Sequence, residues 1–150
     1  MFRGAQKISV DTKGRMAIPG KYRDELSTFS GSNLIITAHP RKCLLLYPKS
    51  VFEPIEAKIM ALSSFDSRTS DLQILLVGNA DDVELDTVSR VLIPPTLRDF
   101  AKLGSEVMFA GQGTHFQIWN IEAWDKKIER ATVENDQPIE MPAELVGFSL

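Results

Sequence analysis

Two arginines in this chain, Arg15 and Arg90, each follow an aspartate by four residues, Asp11 and Asp86. A guanidinium is a planar fork of donors that can bond two acceptors on one guanine edge, or hold a carboxylate across a turn. The surroundings of the first pair are basic. Residues 1–23 carry Arg3, Lys7, Lys13, Arg15, Lys21 and Arg23 against Asp11 alone, whereas the whole chain has a net charge of −3 and is mostly acidic from Glu129 onward. Such an uneven distribution lets an acidic protein meet a polyanion through one local patch. Asp11 and Arg15 also have a plainer reading, a cross-strand ion pair with the lysines as a solvated face, and composition alone favours it.

Other chemistries find little footing. His39 and His115 lie far apart in the sequence with no ligand-spaced cluster around them, so neither a metal nor a cofactor is expected. No phosphate-cradling loop, nucleophile elbow or dinucleotide fingerprint occurs, so no catalytic residue is assigned. Gly111-Gln112-Gly113 reads as a turn between strands. The lone Cys43, in an apolar segment, reads as a small core residue. With 43% apolar and 25% charged residues, the 150-residue chain has the composition of a soluble globular protein. No apolar run is long enough to cross a bilayer, and Met1-Phe2-Arg3-Gly4 lacks the apolar stretch of a signal peptide, so a cytoplasmic location is expected.

The elements that must position these residues come in two copies. D-T-K-G-R-M-A-I-P-G-K-Y-R-D from Asp11 to Asp24 lines up with D-T-V-S-R-V-L-I-P-P-T-L-R-D from Asp86 to Asp99. After each copy come a Gly-Ser pair and an apolar strand (residues 31–38 and 104–110), a second strand ending in an aromatic (residues 43–47 and 115–119), and a helix. Val10, Met16 and Ile18 flank a polar turn, as Leu85, Val91 and Ile93 do in the second copy, so both read as β-hairpins. With Thr12-Lys13-Gly14 as the loop, Gly14 sits where a left-handed residue is wanted and Asp11 faces Arg15. Ser89 takes that place in the second copy, and because a serine is costly there the second turn is expected to differ in shape.

Pro19 and Pro94 end the hairpin strands and start short helices, over residues 20–26 and 95–102. Ser50 and Glu53 form a capping-box pattern before a helix through Leu62, Asn120 caps its counterpart, and residues 64–77 form a linking helix with Leu72, Leu75 and Leu76 toward the core. Tyr47, Phe52, Trp119 and Trp124 recur at matching positions as core anchors. One half alone is marginal for independent folding, so the halves are expected to interlock. The division falls into 1–75, a first repeat with a helical linker, and 76–150, a second repeat with a C-terminal helix and tail.

The M-F-R-G start, D-T-K-G-R-M-A-I-P, C-L-L-L-Y-P, L-D-T-V-S-R-V-L-I-P-P and G-Q-G-T-H-F-Q-I-W, in this order and spacing, resemble the MraZ family of bacterial transcriptional regulators. The resemblance covers nearly the whole chain. It implies an α+β fold, a β-barrel of two AbrB-like swapped-hairpin repeats with short and flanking helices. It also implies a ring-forming homo-oligomer that binds double-stranded DNA at short direct repeats in the promoter of the division and cell wall gene cluster, its own gene included. Such a protein would be cytoplasmic and associated with the nucleoid. On this footing Arg15 becomes the base reader, Gly14 shapes its loop, and Lys13, Arg3 and Lys7 neutralise phosphates. Asp11 is the structural partner in the first motif. Asp86 and Arg90 keep the structural reading, because Val88 and Ser89 replace Lys13 and Gly14. The competing expectation is a protein-interaction module that binds no nucleic acid.

Overall fold

The fold, seen in a computed structural model that describes residues 1–147, is mixed α and β. Its strands are β1 (Phe2–Ser9), β2 (Arg15–Ala17), β3 (Asn33–Ala38), β4 (Leu44–Pro48), β5 (Asp81–Glu84), β6 (Arg90–Leu92), β7 (Glu106–Gly113) and β8 (Phe116–Asn120). Its α-helices are α1 (Arg23–Ser30), α2 (Lys49–Met60), α3 (Ser67–Leu72), α4 (Pro95–Phe100) and α5 (Ile121–Ala131). The antiparallel main sheet has the order β1-β7-β8-β4-β3-β5, and β2 pairs with β6 in a separate ribbon.

The two halves exchange strands. β1 of the first half runs along β7 of the second, and β5 of the second along β3 of the first, while β4 and β8 meet at the centre. The expected interlocking is therefore built from main-chain ladders. The main sheet is not closed into a barrel, since β1 and β5 end it without pairing with each other.

Burial explains the continuous apolar runs. β3 and β4 are covered on both faces, so neither alternates in polarity. On one side Leu34, Ile36, Leu44 and Leu46 join the main core with Met16, Ile18, Val91 and Ile93. There Phe2, Tyr22, Phe109 and Phe116 form an aromatic cluster with ring centroids 4.3 to 6.0 Å apart. On the other side Ile35, Leu45 and Tyr47 meet Phe52 of α2. Cys43 is fully buried, and burial raises its thiol pKa to about 12.

Several local expectations need correction. The segment 20–26 begins as a 3-10 turn over Gly20–Tyr22 and becomes α1 only at Arg23. The capping box is not formed: Pro48 holds the cap position of α2, and Ser50 Oγ donates to Phe29 O at 3.4 Å. The linking helix is α3 followed by a wider π-helical turn, Gln73–Gly78. Leu75 and Leu76 reach the two cores, but Leu72 points out and is exposed, because the wider turn rotates the face. A carbonyl of that turn, Leu76 O, accepts from the buried Thr37 hydroxyl at 2.8 Å.

Gly111-Gln112-Gly113 is strand rather than turn, paired with Gly4, Arg3 and Phe2 of β1. Gly111 is needed because β1 approaches so closely that a Cβ would lie 2.5 Å from Arg3 N. Asn120 caps α5 as expected, its Oδ1 accepting from Ala123 N at 3.0 Å.

Candidate nucleic-acid interface

Each motif is a self-contained turn. Asp11 Oδ1 accepts the main-chain N–H groups of Lys13 (3.0 Å) and Arg15 (2.9 Å), and Oδ2 accepts Arg15 Nε at 2.8 Å. Two backbone bonds close the loop, Gly14 N to Asp11 O and Asp11 N to Arg15 O, at 2.9 and 3.0 Å. A short polar side chain that accepts from residues two and four ahead is what a tight turn needs from its first position. The Arg15 main-chain N–H foremost, then its guanidinium and the Lys13 N–H, hold the Asp11 carboxyl below its usual pKa.

The second motif repeats this arrangement. Asp86 accepts Val88 N at 3.0 Å, Arg90 N at 2.8 Å and Arg90 Nε at 2.9 Å. Its pKa is lowered in the same way, by the Arg90 main-chain N–H first. The expected difference in turn shape does not occur, for Ser89 adopts φ 62° where Gly14 has φ 87°. The aspartate supplies three hydrogen bonds in either copy, enough to hold a serine in a left-handed conformation.

The strand exchange joins the two turns. Ile93 N donates to Gly14 O and Ile18 N donates to Ser89 O, both at 2.9 Å, so each loop is tied to the other half. Arg98 lies across Gly14, where a Cβ would come within 2.6 Å of its Cζ, and its Nε donates to Ile93 O at 3.1 Å. The equivalent Arg23 reaches Ile18 O at 3.3 and 3.4 Å. Arg98 escaped the site reading although its recurrence at the position of Arg23 in the repeat marks it.

In the ribbon, Arg15 stands opposite Leu92 and Ala17 opposite Arg90, with Met16 and Val91 between them. Met16 and Val91 are fully buried, so Arg15, Ala17, Arg90 and Leu92 share the outer face. The side chains of Arg15 and Arg90 are about one third exposed, at 33% and 36%. Each aspartate takes the Nε edge of its arginine, and the terminal guanidinium nitrogens have no hydrogen-bond partner among the described residues.

The remaining candidates are more dispersed. Lys13 sits in the first turn with an exposed side chain. Arg3 and Lys7 lie on β1, on the side away from Phe2 and Ile8. At ~3.3 Å per residue they stand roughly 25 and 13 Å back from Asp11. His39 and His115, distant in sequence, come close enough for the charge of one to lower the pKa of the other, after burial as the main cause. His115 stacks on Tyr47 at 4.6 Å. Among the described residues no group of three or more His, Cys, Asp or Glu side chains is placed to hold a metal ion. No helix of the described residues is long and apolar enough to cross a membrane.

A family model described as "MraZ protein, putative antitoxin-like" matches residues 1–74 and again residues 76–142. The chain belongs to the MraZ family. Proteins named Transcriptional regulator MraZ match it end to end: those of Methylobacillus flagellatus, Nitrosospira multiformis and Nitrosomonas europaea are 53%, 51% and 50% identical over 150 residues, covering 100% of each chain. Each of the two segments matched by the MraZ model holds one Asp-x-x-x-Arg turn, the first with Asp11 and Arg15 and the second with Asp86 and Arg90.

Proposed function

We propose that this chain is a transcriptional regulator that binds double-stranded DNA through the outer face of the β2–β6 ribbon. The observation that carries the reading is the presentation of Arg15 and Arg90 on one exposed face, with the Asp11 and Asp86 carboxylates bonded to their Nε edges. That arrangement leaves the terminal nitrogens of each guanidinium, which can match guanine O6 and N7, without a protein partner among the described residues. A two-stranded ribbon fits a major groove. Leu92 and Ala17 on the same face supply apolar surface for thymine methyl groups. Lys13 neutralises phosphate beside the turn, and Lys7 and Arg3 do so farther along β1. Gly14 keeps the first loop low under Arg98.

One ribbon makes few contacts, so tight binding calls for several copies held together on adjacent sites. The reading is therefore of a homo-oligomeric ring, each subunit built of repeats 1–75 and 76–150, acting on short direct repeats in the promoter of the division and cell wall gene cluster, its own gene included. It is read as cytoplasmic and nucleoid-associated. The test is footprinting on the DNA upstream of its own gene, with a salt titration of binding to the protected duplex. Protection of repeats spaced by about one helical turn and a steep loss of affinity with salt are expected. Absence of any sequence-specific complex at moderate salt would favour a protein-interaction module instead.

A further inference from the structure

A groove of about 320 Å³ beside α5 has a strongly basic rim, formed by Arg41, Lys42, Lys102, Lys126 and Arg130 with Glu122 as its one acid. None of those five basic side chains makes an ion pair among the described residues. The remainder of the lining is largely apolar, with Phe100, Trp119 and Ala123. The positive field reaches His39, whose pKa is lowered by burial and then by Arg41 and Lys127.

The chain carries a complement to this groove. Beyond Arg130 it has no further lysine or arginine, and it places Glu134, Asp136, Glu140 and Glu144 around Ile139. Ile139 is 62% exposed, and those four acids are exposed and make no ion pair among the described residues. We propose that the groove beside α5 receives the acidic segment around Ile139 from a second copy of this chain, its carboxylates on the basic rim and Ile139 against the partly exposed Phe100. The inference rests on the multimeric reading above. Size favours a peptide over DNA, because a groove of about 320 Å³ with an apolar floor takes a few side chains of an extended chain but not a duplex. A groove on one copy and a tail on the next is a head-to-tail contact, the kind that closes into rings.

The test is a charge exchange in the full-length chain. One variant carries K126E and R130E, and the other carries E134K, D136K, E140K and E144K. All substituted positions are on the surface, and near-ultraviolet circular dichroism verifies folding. Each variant alone should sediment at a lower mass at a concentration where the wild type is assembled, and an equimolar mixture should regain the wild-type mass. Ile139→Asp should also weaken assembly. Variants that keep the wild-type mass, or a mixture that stays dissociated, would overturn the proposal, as would a groove variant that assembles normally but loses duplex binding. A monomeric wild type would sink the multimeric reading itself, whereas a multimeric wild type indifferent to these changes sinks only the groove.

Discussion

Arg15 and Arg90 are diagonal neighbours on one face of the β2–β6 ribbon, although 75 positions separate them in the chain. Residues so related across an antiparallel pair stand about 7–8 Å apart. The second motif, read from sequence as structural, thus shares a surface with the first, and the proposed DNA contact by Arg15 therefore extends to Arg90.

Arg15→Ala is expected to cost about 1–3 kcal/mol of specific DNA affinity, roughly five- to 150-fold, and Arg90→Ala a comparable amount. Arg15→Lys should recover little, since a lysine keeps the charge but lacks the fork. Lys13→Ala should instead lower the salt slope by about one while leaving sequence preference intact. Anisotropy titrations at several salt concentrations separate these cases. An Arg90→Ala variant with wild-type affinity would restrict readout to the first turn.

Ser89 and Gly14 make opposite predictions from the same geometry. Ser89→Gly removes a side chain held at φ 62° and should raise stability by about 1 kcal/mol in urea unfolding. Gly14→Ala places a Cβ against Arg98 at φ 87° and should lower it by about 1–3 kcal/mol. A destabilised Ser89→Gly variant would mean that the serine side chain has a role of its own.

The lowered pKa values of Asp11 and Asp86 set the pH response of the turns. A carboxylate whose folded pKa is depressed stabilises the fold above its unfolded pKa, near 3.8, and that contribution is lost as pH falls through the folded value. The Asp11→Asn, Asp86→Asn double variant should therefore be less stable than the wild type at pH 7 and at pH 5, with the difference shrinking below about pH 4. Denaturant midpoints across this range measure it, and a gap that stays constant with pH would show that the carboxylate charge is irrelevant.

Gly111→Ala should damage the β1–β7 ladder, because its Cβ would stand 2.5 Å from Arg3 N and 2.7 Å from Phe2 C, which are backbone atoms with little room to yield. A loss of about 1–3 kcal/mol is expected, with hydrogen exchange rising first in β1. Unchanged protection of β1 would mean that the strands slide apart at little cost.

The linear order of residues determined by itself the repeat, the two apolar strands of each half and the helix that follows them, the cap at Asn120 and the Asp11–Arg15 turn. These depend on local periodicity and on side chains reaching their own neighbouring backbone. Tertiary structure alone decided which edges pair. The exchange of β1 and β5 between halves, and the ribbon that sets Arg15 beside Arg90, come from long-range ladders whose register no local pattern contains. The shape of the second turn has both sources: three local bonds to Asp86 and one long-range tie from Ile18 together outweigh the preference of Ser89. Gly111 was misread for the same reason: its lack of a side chain answers the close approach of β1, a strand from the other half, and not a turn of its own.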